Sequence, residues 1–267
     1  MIFDAHNHLQ AEALLPHLPG VAAELQQIGL ARAVVNGTRE ADWDRVTALA
    51  EAHDWVLPSY GLHPWFLKAR TVHWRERLAA LVETGRAAIG EIGLDRWIEG
   101  FDFADQTEVF AWQLALAAKH NLPASIHCLK AWGALGEILR TQPVPERGFL
   151  LHAYGGPAEM IDGFVRCGAY FSFSGSFLNE SKAARREVFR QIPAGRLLVE
   201  TDAPDMPLPP GRAQFFLPGS QEGSVLNHPA NLLAVYEGLA ELRGWTTETL
   251  TAQAAENFER LFGGVER

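Results

Sequence analysis

The run LLVETD, residues 197–202, decides how the rest of the chain is read. An apolar stretch of this kind is what a parallel strand buried on both faces looks like in sequence. This one stops on Asp202, a residue able to bind a metal ion. Working outward, the same pattern recurs. AAIG leads into Glu91, ASI into His127, FLL into His152, and IFDA into His6-Asn7-His8. Residues two apart on a strand point the same way, so His6 and His8 share one face.

Strand candidates lie at 2–8, 32–38, 56–62, 87–92, 123–127, 149–154, 169–174 and 197–202. Helical stretches separate them. Residues 106–119 place Phe110, Leu114 and Ala117 on one face at three-to-four spacing. Residues 131–140, 159–166 and 182–190 read similarly, and 231–242 and 247–262 supply closing helices. Pro123, Gly148 and Gly168 punctuate the returns to strand. Eight strands alternating with helices fit a closed barrel or an open doubly wound sheet. The strand ends favour the barrel, because there the C-terminal ends form one mouth on which the six polar residues converge. The expectation is an α/β chain, a (β/α)8 TIM barrel, as a single domain over residues 1–267. Such a barrel typically needs about 250 residues.

Composition bounds the function. A formal net charge of -9 opposes a surface-wide grip on duplex nucleic acid. It permits a local phosphate site, since bound divalent cations dominate the field there. Cys128 and Cys167 form neither a disulfide framework nor a CxxC pair. They read as reduced thiols, and a cytoplasmic location is expected. MIFDAHNHL has no basic segment followed by an apolar run, so no secretory signal is expected. No stretch reaches the about 18 apolar residues of a membrane span.

The ligand types narrow the metal. Imidazole and carboxylate without thiolate suit Zn²⁺, Mn²⁺, Fe²⁺ or, less well, Mg²⁺. His6, His8, Glu91, His127, His152 and Asp202 exceed the protein ligands of a single catalytic Zn²⁺. Two divalent metal ions sharing Glu91 and a bridging hydroxide fit the set better.

At these residues the sequence resembles the TatD-like family of metal-dependent deoxyribonucleases, within the amidohydrolase superfamily. The resemblance begins at FDAHNHL and continues through Gly61-Leu62-His63-Pro64 and GEIGLD at 90–95. It then runs through Gln106…Phe110…Gln113-Leu114, Leu122-Pro123, Ile126-His127 and Leu151-His152. It closes with LLVETDAP at 197–204 and Asn257…Arg260-Leu261-Phe262. It implies a barrel of the metallo-dependent hydrolase type and a two-metal site. His6 and His8 then ligate the first metal, Glu91 bridges, and His127 and His152 ligate the second. Asp202 ligates the first and takes a proton from the nucleophilic water, making Asp202 and Glu91 the catalytic pair. His63 is a candidate contact to a substrate phosphate. Asp95, grouped with it at the substrate side, is also a candidate carboxylate for orienting a ligand His.

The implied activity is cleavage of phosphodiester bonds by a metal-bridged hydroxide. The substrate would be a small phosphodiester, an oligonucleotide or a single-stranded DNA end, and a monomer suffices. The competing reading is an amidohydrolase cleaving a C–N or ester bond of a small metabolite, because fold and metal do not fix substrate. Trp65, Phe66, Trp97 and Tyr154 follow strand ends and are base-stacking candidates. Lys182, Arg185, Arg186 and Arg190 read as a solvated helix face. Residues 203–227, unperiodic and rich in proline, read as a partial cover over the site.

The sequence also departs from the family. Leu129 stands where an Arg is usual, two residues after His127. His152-Ala153-Tyr154-Gly155-Gly156 lacks the usual Ser-Gly hydroxyl. Asn227-His228-Pro229 replaces Asn-Glu-Pro or Asn-Arg-Pro. These positions are expected near the mouth, outside the metal shell, so the expectation is intact metal chemistry with a weakened grip on long DNA.

Overall fold

Alternating apolar runs and amphipathic stretches build eight parallel strands in the consecutive order β1 to β8. The computed structural model describes residues 1–83, 86–217 and 226–265. The strands are β1 (Ile2–Asn7), β2 (Leu30–Asn36), β3 (Val56–Tyr60), β4 (Ala88–Asp95), β5 (Ala124–Leu129), β6 (Phe149–Leu151), β7 (Ala169–Ser174) and β8 (Leu197–Glu200). Seven helices connect them: α1 (Leu18–Gln27), α2 (Glu40–Ala52), α3 (Trp74–Val82), α4 (Phe103–His120), α5 (Trp132–Thr141), α6 (Ile161–Arg166) and α7 (Ala183–Val188). After β8 come α8 (Leu232–Arg243) and α9 (Thr247–Phe262).

The choice between barrel and open sheet is made at the seam between β8 and β1. The Asp202 N–H donates to the His6 carbonyl at 3.0 Å, and the His8 N–H donates to the Ala203 carbonyl at 2.8 Å. The Asp4 carboxylate accepts from the Thr201 N–H at 3.0 Å and its hydroxyl at 2.6 Å. These bonds close the eight-stranded barrel.

The strand period of two sorts the interior into layers. Phe3, Val34, Leu57, Ala88, Leu150, Tyr170 and Leu198 form an apolar base, sealed by Phe258, Leu261 and Phe262 of α9. One step further along the same strand faces stand Asn36, Ser59, Ser125, Ser172 and Glu200, all fully buried and polar. One step beyond that are the strand ends. The chemistry at the mouth therefore rests on a small-polar shelf, itself held on a hydrophobic plug.

Expectation and structure differ at several elements. β4 runs on to Asp95 and β6 stops at Leu151, which leaves His152 just past the strand. The 182–190 helix narrows to the six residues of α7. Tyr154 is fully buried, stacked edge-on against Trp132 and Phe171, with its hydroxyl donating to the Pro157 carbonyl at 2.7 Å. It is a core residue and unable to stack a base. Both cysteines are free. Among the described residues no helix is long and apolar enough to cross a membrane.

Asn257 ties α9 to the base of β8. Its side-chain amide is buried and donates to the Ala194 and Leu197 carbonyls at 2.7 and 2.8 Å. Asn257→Ala removes both hydrogen bonds, although the Ala194 carbonyl keeps the Leu197 N–H, and a loss of about 1–2 kcal/mol is expected. Urea unfolding of the two proteins under identical conditions measures it.

Candidate metal centre

The local backbone at β4 delivers Glu91 into the mouth. A Cβ on Gly90 would lie 2.8 Å from Asn36 Oδ1 and 2.9 Å from Ser59 Oγ. Glycine is thus what lets β4 pass against the polar shelf. Gly93, at φ +152, sits so close to β5 that a Cβ would fall 2.0 Å from the His127 carbonyl. The ladder is irregular between Ile89 and Ile92, which fits a strand that must re-aim one side chain.

Glu91 is the hub. Its Oε2 lies 3.3 Å from His8 Nε2 and 3.6 Å from His6 Nε2. Its Oε1 lies 2.9 Å from His152 Nε2, 3.2 Å from His127 Nδ1 and 3.3 Å from His63 Nε2. Asp202 completes the first half, 3.3 Å from His8 and 3.5 Å from His6. Asp202 adopts φ 54, a left-handed conformation that Asp tolerates better than most residues. All seven residues are buried, so the structure brings the six expected ligands and His63 into one cluster.

The outer nitrogen of each imidazole determines what the inner one offers. His8 Nδ1 lies 2.8 Å from the Asn36 carbonyl, which only accepts, so Nδ1 carries the proton and Nε2 points a lone pair inward. His127 Nε2 lies 3.1 Å from the Asp95 carboxylate, so its Nδ1 lone pair points inward. His6 Nδ1 meets Ser125 Oγ at 2.7 Å, and His152 Nδ1 faces Glu200 at 3.7 Å. Two inward lone pairs thus stand 3.2–3.3 Å from carboxylate oxygens, an arrangement that repels unless a cation or a proton lies between. The donor set fits a divalent metal in each half.

His63 differs. Its Nδ1 accepts from the Trp65 N–H at 3.2 Å, so Nε2 carries the proton and donates towards Glu91. Although His63, Glu91 and His127 lie close enough to hold a metal, this tautomer makes His63 a donor. Burial, with His127 beside it, holds the His63 imidazole down at about 4 despite Glu91, so it stays neutral.

Burial alone would raise the Glu91 carboxyl. The surrounding imidazoles, His63 and His152 foremost, outweigh it and hold Glu91 well below the usual carboxylate range. Burial opposes charging of His8 and His152, yet Asp202 and Glu91 push the first well up, and Glu91 and Glu200 the second. Where a proton rather than a metal lies between, His8 Nε2 donates it to Asp202, and that hydrogen bond lowers Asp202 against its own burial. Cys128 lines the mouth, but burial pushes its thiol up to about 12, so it is no nucleophile.

The cavity above the cluster measures about 500 Å³. Trp65 and Trp97 line it and are 38% and 57% exposed, which leaves ring surface for a ligand. Asp95 does not line it. Its carboxylate is committed to His127, to Trp65 Nε1 at 2.7 Å and to the Trp97 N–H at 2.6 Å, which makes it a positioning residue with no face for substrate. Arg185, expected on a solvated helix face, lines the cavity against Gly155. Leu129 and Ala153 line it too. His228 does not: it is buried and pairs with Glu24 at 2.8 Å. Of the expected cover, Pro204, Asp205 and Met206 reach the cavity, and 218–225 lie outside the described residues.

Sequence reading missed the supporting partners. Glu200 and Ser125 back two imidazoles. Gln106 clamps the Asp95 backbone at 2.8 and 3.0 Å, and Gln113 clamps that of Leu62 at 2.7 and 3.2 Å. Being seven apart, two helical turns, they face the barrel together from α4. For Ser125 and Glu200 the signal was an apolar strand broken by one polar residue, and for the glutamines it was two polar residues on the otherwise apolar face of α4.

A family model described as TatD related DNase matches residues 3–263, and the chain belongs to that family. It is 31% identical to the uncharacterized metal-dependent hydrolase YabD of Bacillus subtilis over 98% of this chain and 99% of the relative. It is 30% identical to the 3'-5' ssDNA/RNA exonuclease TatD of Enterobacter lignolyticus, with the same coverage. The crystal structure of YjjV, a TatD homologue from Escherichia coli, superposes with a TM-score of 0.88 at 27% identity, over 98% of this chain and 97% of that one.

Gly93→Ala tests the β4 geometry. The added methyl forces β4 and β5 apart beside Glu91 and His127, and a destabilisation of about 3 kcal/mol or more is expected. Thermal unfolding compared with Gly100→Ala, at φ +76 and with nothing within 4 Å of a Cβ, gives the cost of a positive-φ alanine without a clash.

Proposed function

We propose that the chain is a divalent-metal-dependent phosphodiesterase acting on DNA ends or short oligonucleotides. The observation that carries this reading is the pair of inward lone pairs, His8 Nε2 and His127 Nδ1, facing opposite oxygens of one carboxylate. That geometry supports two cations sharing Glu91, with His6, His8 and Asp202 on one side and His127 and His152 on the other. The names of the relatives, a metal-dependent hydrolase and a 3'-5' ssDNA/RNA exonuclease, support the reaction class.

Divalent ions held there would supply positive charge that draws on phosphoryl oxygens and eases deprotonation of a water. The chain's own groups do the rest. Asp202 accepts the proton of the attacking water, being ionised and fixed by His8. The water oxygen forms a bond to phosphorus as the bond to the leaving sugar oxygen breaks, and that oxygen takes up the proton that Asp202 received, directly or through water. His63 Nε2–H, held towards Glu91 until the ions take up that carboxylate, would then turn to a non-bridging oxygen. Trp65, its Nε1–H fixed by Asp95, and Trp97 present faces to a base.

Zn²⁺ or Mn²⁺ reconstitution followed by a panel of a small phosphodiester, single-stranded DNA, RNA and amides tests the assignment. Hydrolysis of amides alone would replace it with the amidohydrolase reading. Within that assay, Asp202→Asn should keep the fold and lose roughly 10²–10⁴-fold in kcat, the usual worth of one general base. Near-wild-type turnover would remove Asp202 from the mechanism.

The departures at Leu129 and Gly155 fall on the cavity wall, outside the imidazole–carboxylate cluster. They remove a cation and a hydroxyl from the wall while leaving the cluster intact. The expected outcome is efficient cleavage of a small diester with weak use of long single-stranded DNA. Leu129→Arg should raise kcat/KM on that DNA relative to the small diester, measured side by side at physiological salt. Efficient wild-type digestion of long DNA with no gain in the variant would strip these departures of functional weight.

A further inference from the structure

The cavity wall that follows β2 carries a charge arrangement that the catalytic floor does not use. Arg39 and Arg45 both line the cavity, at and just inside the start of α2. Between their guanidinium groups stands a single oxygen, Glu12 Oε1, 3.5 Å from Arg39 and 3.7 Å from Arg45. Glu12 belongs to the segment after β1, lines the same cavity and is 71% exposed.

These contacts are long, and one partner is mostly in water, so they hold little free energy. The contrast is Arg70, which meets Asp105 at 2.6 and 2.9 Å through two nitrogens. A guanidinium pair with one loosely held oxygen between them is a site ready for a stronger anion. Phosphate offers several charged oxygens to a planar fork, where Glu12 offers one.

Position matters as much as charge. The Arg39 guanidinium lies over the Phe66 ring, 5.2 Å from its centroid. Phe66 in turn lies 6.0 Å, ring to ring, from His63, which contacts Glu91. Arg39 is therefore one aromatic ring away from the catalytic floor, with Arg45 on the other side of Glu12. A chain entering the cavity would place its next phosphate, not the reacting one, at that wall. A cavity of about 500 Å³ has room for such a ligand.

We propose that Arg39 and Arg45 form a second phosphate subsite that holds the phosphate adjoining the scissile one in a short oligonucleotide, with Glu12 as the carboxylate it displaces. The proposal rests on the phosphodiesterase reading and names its substrate class. The chain selects substrates with at least two consecutive phosphates, and it supplies from the β2 wall the cation missing at Leu129. A simple diester lacks the second phosphate and gains nothing from the subsite.

The test uses the full chain freed of metal by chelator, so that no turnover enters the measurement. Binding of a fluorescently labelled short oligothymidylate is followed by anisotropy across a salt series. Each phosphate contact on a single strand contributes about 0.7 to the slope of log K against log salt. Arg39→Ala/Arg45→Ala should weaken binding roughly ten-fold or more and reduce that slope by about 1 to 1.4. Glu12→Gln should tighten binding. Arg75→Ala/Arg77→Ala, which removes two exposed arginines of α3, reports the general effect of lost charge. Equal losses in the two double variants, an unchanged slope, weaker binding in Glu12→Gln, or no measurable wild-type binding at low salt would each overturn the subsite. A metal-loaded wild type that cleaves no phosphodiester would instead overturn the function reading, since the anisotropy measurement does not depend on it.

Discussion

A carboxylate buried among five imidazoles is the constraint around which this protein is built. An ionised side chain removed from water is costly unless it is paired and hydrogen-bonded. Glu91 meets that cost with nitrogen atoms on both of its oxygens, none further than 3.6 Å. The imidazoles come from four separate stretches of chain, so the cluster exists only when the barrel is closed. Closure in turn is secured beside the cluster, where the backbones of His6 and His8 bond those of Asp202 and Ala203. The same residues supply side chains to the centre and main chain to the seam, which couples folding to assembly of the site.

Rigidity of the site follows from the layers beneath it. The polar shelf is unusual for a barrel interior, where bulky branched residues dominate. Here small hydroxyl and amide side chains leave space for β4 to approach closely at Gly90 and give outer partners to the imidazoles above. Asn36 shows the economy of the arrangement. Its carbonyl accepts from both His8 Nδ1 and Gln10 Nε2, at 2.8 and 2.6 Å, which fixes the His8 tautomer and the segment that follows it. Further out, Gln106 and Gln113 hold the backbones of Asp95 and Leu62. The orientation of the clustered side chains is thus set by groups that do not line the cavity.

Positive charge is distributed differently from what the family pattern suggests. The position after β5 is apolar, and the arginines that face the cavity come from the β2 and β7 sides, as Arg39, Arg45 and Arg185. In a chain of net charge -9, three cavity-facing arginines make the mouth a local exception to the surface field. Such a mouth suits a short anionic ligand drawn inside better than a long one laid across the surface.

The sequence by itself determined the class of fold and which candidate ligands stand at the strand ends. A buried parallel strand is an apolar run of fixed length, and a metal-binding residue that ends such a run stands out against it. His6, His8, Glu91, His127, His152 and Asp202 were therefore legible one at a time. Tertiary structure alone decided what each imidazole offers. Whether a ring nitrogen is donor or lone pair depends on its outer neighbour, and the neighbours of His8, His127 and His63 come from β2, β4 and the turn at Trp65. It also decided which of two similar aromatic residues faces solvent: Trp65 lines the cavity, while Tyr154 packs against Trp132 and Phe171. Arg185 was read as a solvated face because helical periodicity reports which side of a helix is apolar, and it carries no information on whether the polar side looks at bulk water or into a cavity. That distinction is set by where the closed barrel places α7.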